Sequence, residues 1–248
     1  MKTIIYPASE RGHVNFGWLD SHHSFSFGNW HHREKVQFGA LRVLNDDIVK
    51  GGGGFDTHPH DNMEIVSIPL KGAIAHKDST GTEGIVYSGD VQIMSAGSGI
   101  RHSEYNASHY DPANFLQIWV FPKQQNIKPR HEKKTFDQTQ RKDQWQVVVS
   151  PNPSEGGVWI NQDARMALTR LSAGKDISFS TAFEGNGVYL FVVDGEVEVD
   201  GKTLQRRDAM GISETKDVKI HATAPASCWP LKYRCLRKDA PDELYPGE

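Results

Sequence analysis

The feature that most constrains this 248-residue chain is its succession of short β-favouring runs, each cut off by glycine or proline. The runs include FGALRVL, IVSIPL, IVYSGDVQIM, FLQIWVFP, QVVVS, VYLFVVDGEVEVDG and DVKIHA, among 23 glycines and 12 prolines. No long stretch keeps apolar residues at i, i+3, i+4 and i+7 without a glycine, a proline or a β-branched run, so helices are not expected. Short strands at regular spacing fit barrels or sandwiches. The length allows one large domain or two small ones. Between Pro122 and Trp145 the chain is polar, charged and poor in aliphatic residues, as befits a connection between packed units. A repeated pattern supports division there. LKGAIAHKD leads through a Gly-Asp step to VQIM in the first half, and YLFVVDGEVEVDGK leads to RRDAMGI in the second, each with a glycine at its first turn. The expected architecture is all-β, two tandem β-barrels spanning residues 1–135 and 136–248.

Composition narrows the setting. Apolar residues make up 37% and charged residues 24%, with a mean hydropathy of −0.56, which describes an ordinary water-soluble globule. No segment approaches the ~18 apolar residues of a membrane helix, and the opening MKTIIYPASERG lacks a secretory apolar core, so a cytoplasmic protein without membrane contact is expected. Lys plus Arg number 28 against 31 for Asp plus Glu, a net charge of −3 that argues against direct nucleic-acid binding. The positive charges of the connecting segment read as solvated surface. Cys228 and Cys235 are too few for a disulfide framework or a four-thiolate zinc site, and read as buried or free thiols.

The twelve histidines are unevenly placed: eleven lie at or before His131. After the glycines Gly51 to Gly54, His58 and His60 stand two apart, so on a strand they share a face, and Glu64 joins them if the strand stays regular. His102 and Glu104 repeat the spacing on a second run. Two such pairs inside one barrel would offer three neutral imidazoles and a carboxylate, a donor set suited to a divalent transition metal. Six-coordinate geometry leaves two positions open, whereas a tetrahedral site is closed, and spacing does not decide between them. The adjacent pairs His22-His23 and His31-His32 point to opposite faces and read as surface or packing residues. His76, His109, His131 and His221 stand alone and read as hydrogen-bonded polar residues.

Several motifs in order resemble those of the pirin family, a bicupin branch of the cupin superfamily. They are Arg11-Gly12-His13-Val14-Asn15-Phe16-Gly17-Trp18-Leu19-Asp20-Ser21 with Ser24-Phe25-Ser26-Phe27, then Leu41 to Asp47, His58-Pro59-His60 with Glu64, and Met94 to Gly97 continuing through His102-Ser103-Glu104-Tyr105-Asn106. The pattern is similar to bacterial pirins with quercetin 2,3-dioxygenase activity. The resemblance implies cupin-type barrels and one metal in the N-terminal barrel, held by His58, His60, His102 and Glu104. Glu64 is then a supporting acid, and the C-terminal barrel is metal-free. Iron(II) is the implied metal; nickel, cobalt, manganese, zinc or copper fit the same donors. The implied reaction opens a flavonol such as quercetin with O2 and releases carbon monoxide, with Glu104 as the base for the 3-hydroxyl proton. Trp18, Phe25, Phe27, Met94 and Trp119 suit the walls of a pocket for a flat ligand, plain core packing being the competing reading for each. A different class of function is a metal-binding regulator acting through a protein partner, for which the sequence offers no basic stripe, amphipathic helix or low-complexity arm. A sugar isomerase is compatible with the donors but not with the motifs.

Overall fold

The structure is a computed structural model and describes residues 1–181 and 185–234. The first half contains β1 (Lys2–Tyr6), β2 (Gly12–Asn15), β3 (Leu19–His23), β4 (Leu41–Val49), β5 (Gly54–His60), β6 (Glu64–Lys71), β7 (Ala73–Asp78), β8 (Glu83–Tyr87), β9 (Asp90–Ser95), β10 (Ile100–Asn106), β11 (Ala113–Val120) and β12 (Arg130–Thr135). The second contains β13 (Gln146–Ser150), β14 (Val158–Trp159), β15 (Arg165–Leu171), β16 (Asp176–Ser180), β17 (Asn186–Asp194), β18 (Val197–Val199), β19 (Lys202–Leu204), β20 (Ala209–Ser213), β21 (Asp217–Ala222) and β22 (Ala226–Arg234). Among the described residues the helices are three single 3-10 turns, and none is long and apolar enough to cross a membrane.

Each half is a seven-stranded sheet over a four-stranded one, and the two halves repeat each other strand for strand. The large sheets run β12-β9-β6-β11-β4-β3-β2 and β1-β20-β17-β22-β15-β13-β14; the small ones run β5-β10-β7-β8 and β16-β21-β18-β19. Among the described residues the two sheets of each half do not join into one continuous ladder. Gly72 and Gly195 make the equivalent first turns of the repeat, with φ of +75° and +82° that a side chain would resist. The repeat differs from the sequence division at one strand. β1 lies beyond the other half's β20, pairing Lys2 with Ser213 and Tyr6 with Ala209, and takes the place that β12 holds beside β9.

The large sheets pack against each other, and this places the main core between the halves. Leu44, Val66, Ile118 and Val120 meet Val149, Met166, Tyr189 and Trp229 there, all buried. The central strands of these sheets, such as β6, β9 and β17, are covered on both faces, so their sequences read as near-continuous apolar runs. The inner faces differ chemically. In the C-terminal half Leu190, Val192, Val197, Ile212 and Ile220 form a second apolar core. In the N-terminal half the inward residues of β6, β7, β10 and β11 include Ser67, His76, His102, Glu104 and Gln117, all buried. An interior that buries polar groups needs partners for them, which makes the space between these two sheets the place to look for chemistry. Cys228 is buried in the C-terminal core, where burial pushes its thiol up to about 12. Cys235 lies outside the described residues.

Candidate metal centre

The cluster forms where β5 and β10 pair. His102 sits directly opposite His58, but the register slips before Glu104, which lies opposite Phe55. This bulge turns both Asp56 and Thr57 outward, so that Phe55 and His58 face the interior although they are three residues apart. It also brings the Asp56 carbonyl oxygen 2.7 Å from His58 Nδ1. A carbonyl can only accept, so Nδ1 carries the proton and the Nε2 lone pair is free for a ligand bond. The Tyr105 hydroxyl donates to the Asp56 carboxylate and pins the bulge from outside.

Donor atoms of His58, His60 and His102 all lie within 4.8 Å of one another. The rings stand at 4.5 to 4.9 Å between centroids, and His60 Nε2 lies 3.1 Å from His102 Nε2. Burial, reinforced by the neighbouring imidazoles, pushes His60 and His102 down to about 3, so both are neutral at pH 7, the form that binds metals. Glu104 is buried beside them. The Ser67 hydroxyl lies 3.0 Å from its Oε1, and the Gln117 amide donates to its Oε2 at 2.6 Å. Its carboxylate forms a second close set with His76 and His102. Three imidazoles facing one another with a carboxyl group at the edge fit a divalent transition metal. At the register-equivalent positions of the C-terminal half stand Phe179, Val218 and Ile220, all in its apolar core.

His76 was not distinguishable in sequence from a lone polar histidine. It bonds Asp78 at 2.9 Å and stacks on His131 at 4.7 Å, which itself bonds Gln92, and its ring lies 5.4 Å from that of His102. Glu64 is placed differently from its neighbours in sequence. β5 ends at His60, Asn62 turns the chain with φ of +42°, and β6 begins in the large sheet. On β6, Glu64 shares the face of Val66 and Ile68, opposite Ser67, and so looks into the contact between the halves. There it accepts from the Ser95 hydroxyl at 2.9 Å and the Asn161 N–H at 3.2 Å.

A cavity of about 220 Å³ opens beside His58 and Glu104, walled by Leu19, Phe27, Phe55 and Trp119 with Phe16 at its rim. Phe27 and Trp119 meet edge to face at 5.3 Å, and Trp119 reaches His60 at 4.9 Å. Of the other aromatic candidates, Trp18 stands behind Phe55 at 5.1 Å, and Phe25 is taken into the core between the halves by Tyr6 and Tyr189. Met94 is buried against Ile65 and Ile100. Asp47 also lines the cavity, accepting from Ser21, and burial raises its carboxyl to about 7, with Asp46 and Glu104 adding to the rise. The even alternation of Leu19, Ser21 and His23 could have signalled that wall; Phe55 was hidden by the bulge.

Comparison with known proteins agrees with this architecture. The Pirin family model matches residues 7–120, and that of the quercetinase C-terminal cupin domain matches residues 147–228. A quercetin 2,3-dioxygenase of Escherichia coli K12 is 42% identical over 221 residues, covering 88% of this chain and 94% of the relative. A pirin-like protein of Caulobacter vibrioides is 37% identical, covering 89% and 94%. The crystal structure of the bacterial pirin YhhW from Escherichia coli in complex with nickel(II) superposes with a TM-score of 0.89 at 36% identity, covering 95% of this chain and all of that one. With two cupin units in tandem and a histidine cluster confined to the first, the chain belongs to the pirin family.

Proposed function

We propose that the protein is a metal-dependent dioxygenase of the quercetinase type, which opens the central ring of a flavonol such as quercetin with O2 and releases carbon monoxide. The observation that carries this reading is a cavity with an aromatic wall that opens onto His58, one edge of the three-histidine cluster, and onto the buried Glu104. The similarity to quercetin 2,3-dioxygenases and to a nickel-binding pirin supports it. His58, His60, His102 and Glu104 would hold the metal, with iron(II) as the proposed ion. A metal held there would supply Lewis-acid chemistry that lowers the pKa of the flavonol 3-hydroxyl.

The chain's own residues do the rest. Glu104 takes the 3-hydroxyl proton. Gln117 donates to Glu104 Oε2 and fixes the plane of the carboxylate, while the Ser67 hydroxyl, 3.0 Å from both Glu104 Oε1 and Gln117 Oε1, donates to one of them at a time. Phe27, Phe55 and Trp119 sandwich the flat rings and keep water from the electron-rich flavonolate. The atoms balance as flavonol plus O2 giving carbon monoxide plus a ring-opened ester. Two carbon–carbon bonds of the central ring break, and both atoms of O2 enter the products.

Iron-loaded protein should bleach the near-ultraviolet band of quercetin in air and release carbon monoxide, and Glu104→Gln should lose most turnover while keeping metal. Protein of verified metal content that bleaches quercetin no faster than the free ion would rule the reading out. Elemental analysis after dialysis against a chelator that strips ions from exposed sites tests the centre itself: about one metal per chain is expected to remain in wild type, and an equal amount retained by a His58→Ala, His60→Ala double variant after the same dialysis would refute the assignment.

A further inference from the structure

The outward face of the β2–β3 hairpin carries a second convergence of donor atoms. Val14, Leu19, Ser21 and His23 face the cavity, so alternation sends His13, Asp20 and His22 to the other side of the sheet. In the register His13 is directly opposite His22, and Asn15 is opposite Asp20. The two imidazoles stack at 4.4 Å with 18° between planes. Asp20 Oδ1 lies 2.9 Å from His13 Nε2 and 3.7 Å from His22 Nδ1, and donor atoms of all three residues fall within 4.8 Å of one another. The other carboxylate oxygen, Oδ2, is 3.4 Å from the Asn15 amide, whose own oxygen accepts the Gly17 N–H at 2.8 Å. Asn15 therefore steadies Asp20 from one side and leaves Oδ1 to the histidines.

A first-row cation bonds imidazole nitrogen and carboxylate oxygen at about 2.0–2.2 Å, which sets neighbouring donors on one ion about 3.0 to 3.5 Å apart. The two contacts to Asp20 Oδ1 bracket that range. We propose that His13, Asp20 and His22 form a second, surface site for a late first-row divalent cation such as zinc, nickel or copper, separate from the cavity centre. Two imidazoles and one carboxylate without thiolate suit these ions, water completing the shell. β2 is the outermost strand of its sheet and pairs with β3 alone, so an ion held by both strands staples the edge whose inner face walls the cavity. An exposed imidazolium–carboxylate pair would do far less.

The test is calorimetric titration with zinc of the His58→Ala, His60→Ala variant, which lacks two of the three cavity imidazoles; any zinc kept by His76, His102 and Glu104 would not respond to changes in the surface triad. One zinc per chain should still bind. Adding His13→Phe or His22→Phe, which keep a ring on the strand, should weaken that binding at least about tenfold, and Asp20→Asn likewise. Zinc should raise the melting temperature only where the triad is intact. If the parent double variant does not fold, wild-type protein with its metal content measured beforehand should take up one zinc beyond it. No added zinc in either protein, or equal uptake by the His13→Phe and His22→Phe variants, overturns the proposal.

Discussion

Replacing Asp47 by asparagine should change how stability depends on pH. Asp47 lies on the cavity face of β4, 3% exposed, with the Ser21 hydroxyl donating to it. Burial raises its carboxyl from the ordinary 3.8 to about 7; the Ser21 bond opposes this, and the carboxylates of Asp46 and Glu104 add to it. The folded chain therefore keeps a proton that the unfolded chain releases. A raised value contributes stability that is fully present below pH 3.8 and lost as pH rises through 7. At about 1.4 kcal/mol per pH unit, the loss amounts to ~4 kcal/mol. The substituted amide would still accept from Ser21 but cannot ionise. The difference in unfolding free energy between wild type and Asp47→Asn should therefore swing by ~4 kcal/mol toward the variant between pH 4 and pH 8. Urea unfolding of both proteins after chelation, at pH 4, 6 and 8, measures it, with the slope m held as a check on comparable unfolding. The swing is read as a difference of differences, so the cost of fitting the amide, present at every pH, cancels. A difference that stays constant to within ~1 kcal/mol across that range would show that Asp47 is already ionised in the folded state, and the burial argument would fail.

Three further outcomes are expected. Gln117→Leu removes the donor that orients Glu104, and kcat for flavonol opening should fall about 10- to 100-fold with metal still bound; unchanged kcat at equal metal content would count against a positioning role. Gly195→Ala forces a side chain onto a φ of +82°, with its Cβ 2.0 Å from the Pro225 carbonyl oxygen, and should destabilise by more than about 1 kcal/mol in thermal unfolding, whereas Gly201→Ala, where the added Cβ meets nothing, should suffer only the backbone cost. Leu44→Ala or Ile118→Ala should cost about 2–5 kcal/mol in urea, and both halves should lose stability in a single transition because the deleted side chain belongs to the core they share.

Much of this was legible in the residues. Runs such as IVSIPL and VYLFVV announced strands because both faces of the large sheets are covered, and Gly72 and Gly195 marked the repeat because each turn needs a positive φ. The two-residue spacings of His58 with His60 and of His102 with Glu104 each predicted a shared strand face, and the three imidazoles do lie close together with Glu104 beside His102. What escaped depends on contacts distant in sequence. A bulge at Asp56 and Thr57 let Phe55 turn inward against simple alternation. Glu64 looked like a fourth ligand only while its strand was taken as continuous with that of His60; a turn at Asn62 moved it to another sheet and another face. Phe25 and Phe27 are two apart on a segment outside the regular strands, and one joins the core between the halves while the other walls the cavity. Beside His23 in sequence, His22 reads as a surface or packing residue, because the imidazole on its own face, His13, is supplied by hairpin register and not by its neighbour in the chain.

The lodging of β1 against β20 bears on whether the two halves are separable modules. A cut between β12 and β13 would not divide the protein into two complete units: the front piece would carry a surplus strand, and the rear piece would be one strand short, with β20 left as an open edge able to recruit another chain. In the intact chain Lys2 must wait for Ser213, so the second unit is sealed only when its distant opening residues return to it, a closure over almost the whole length of the polypeptide. The two halves share a plan, but the rear one is borrowed into completeness by the front, and any attempt to express it alone should carry residues 2–6 with it.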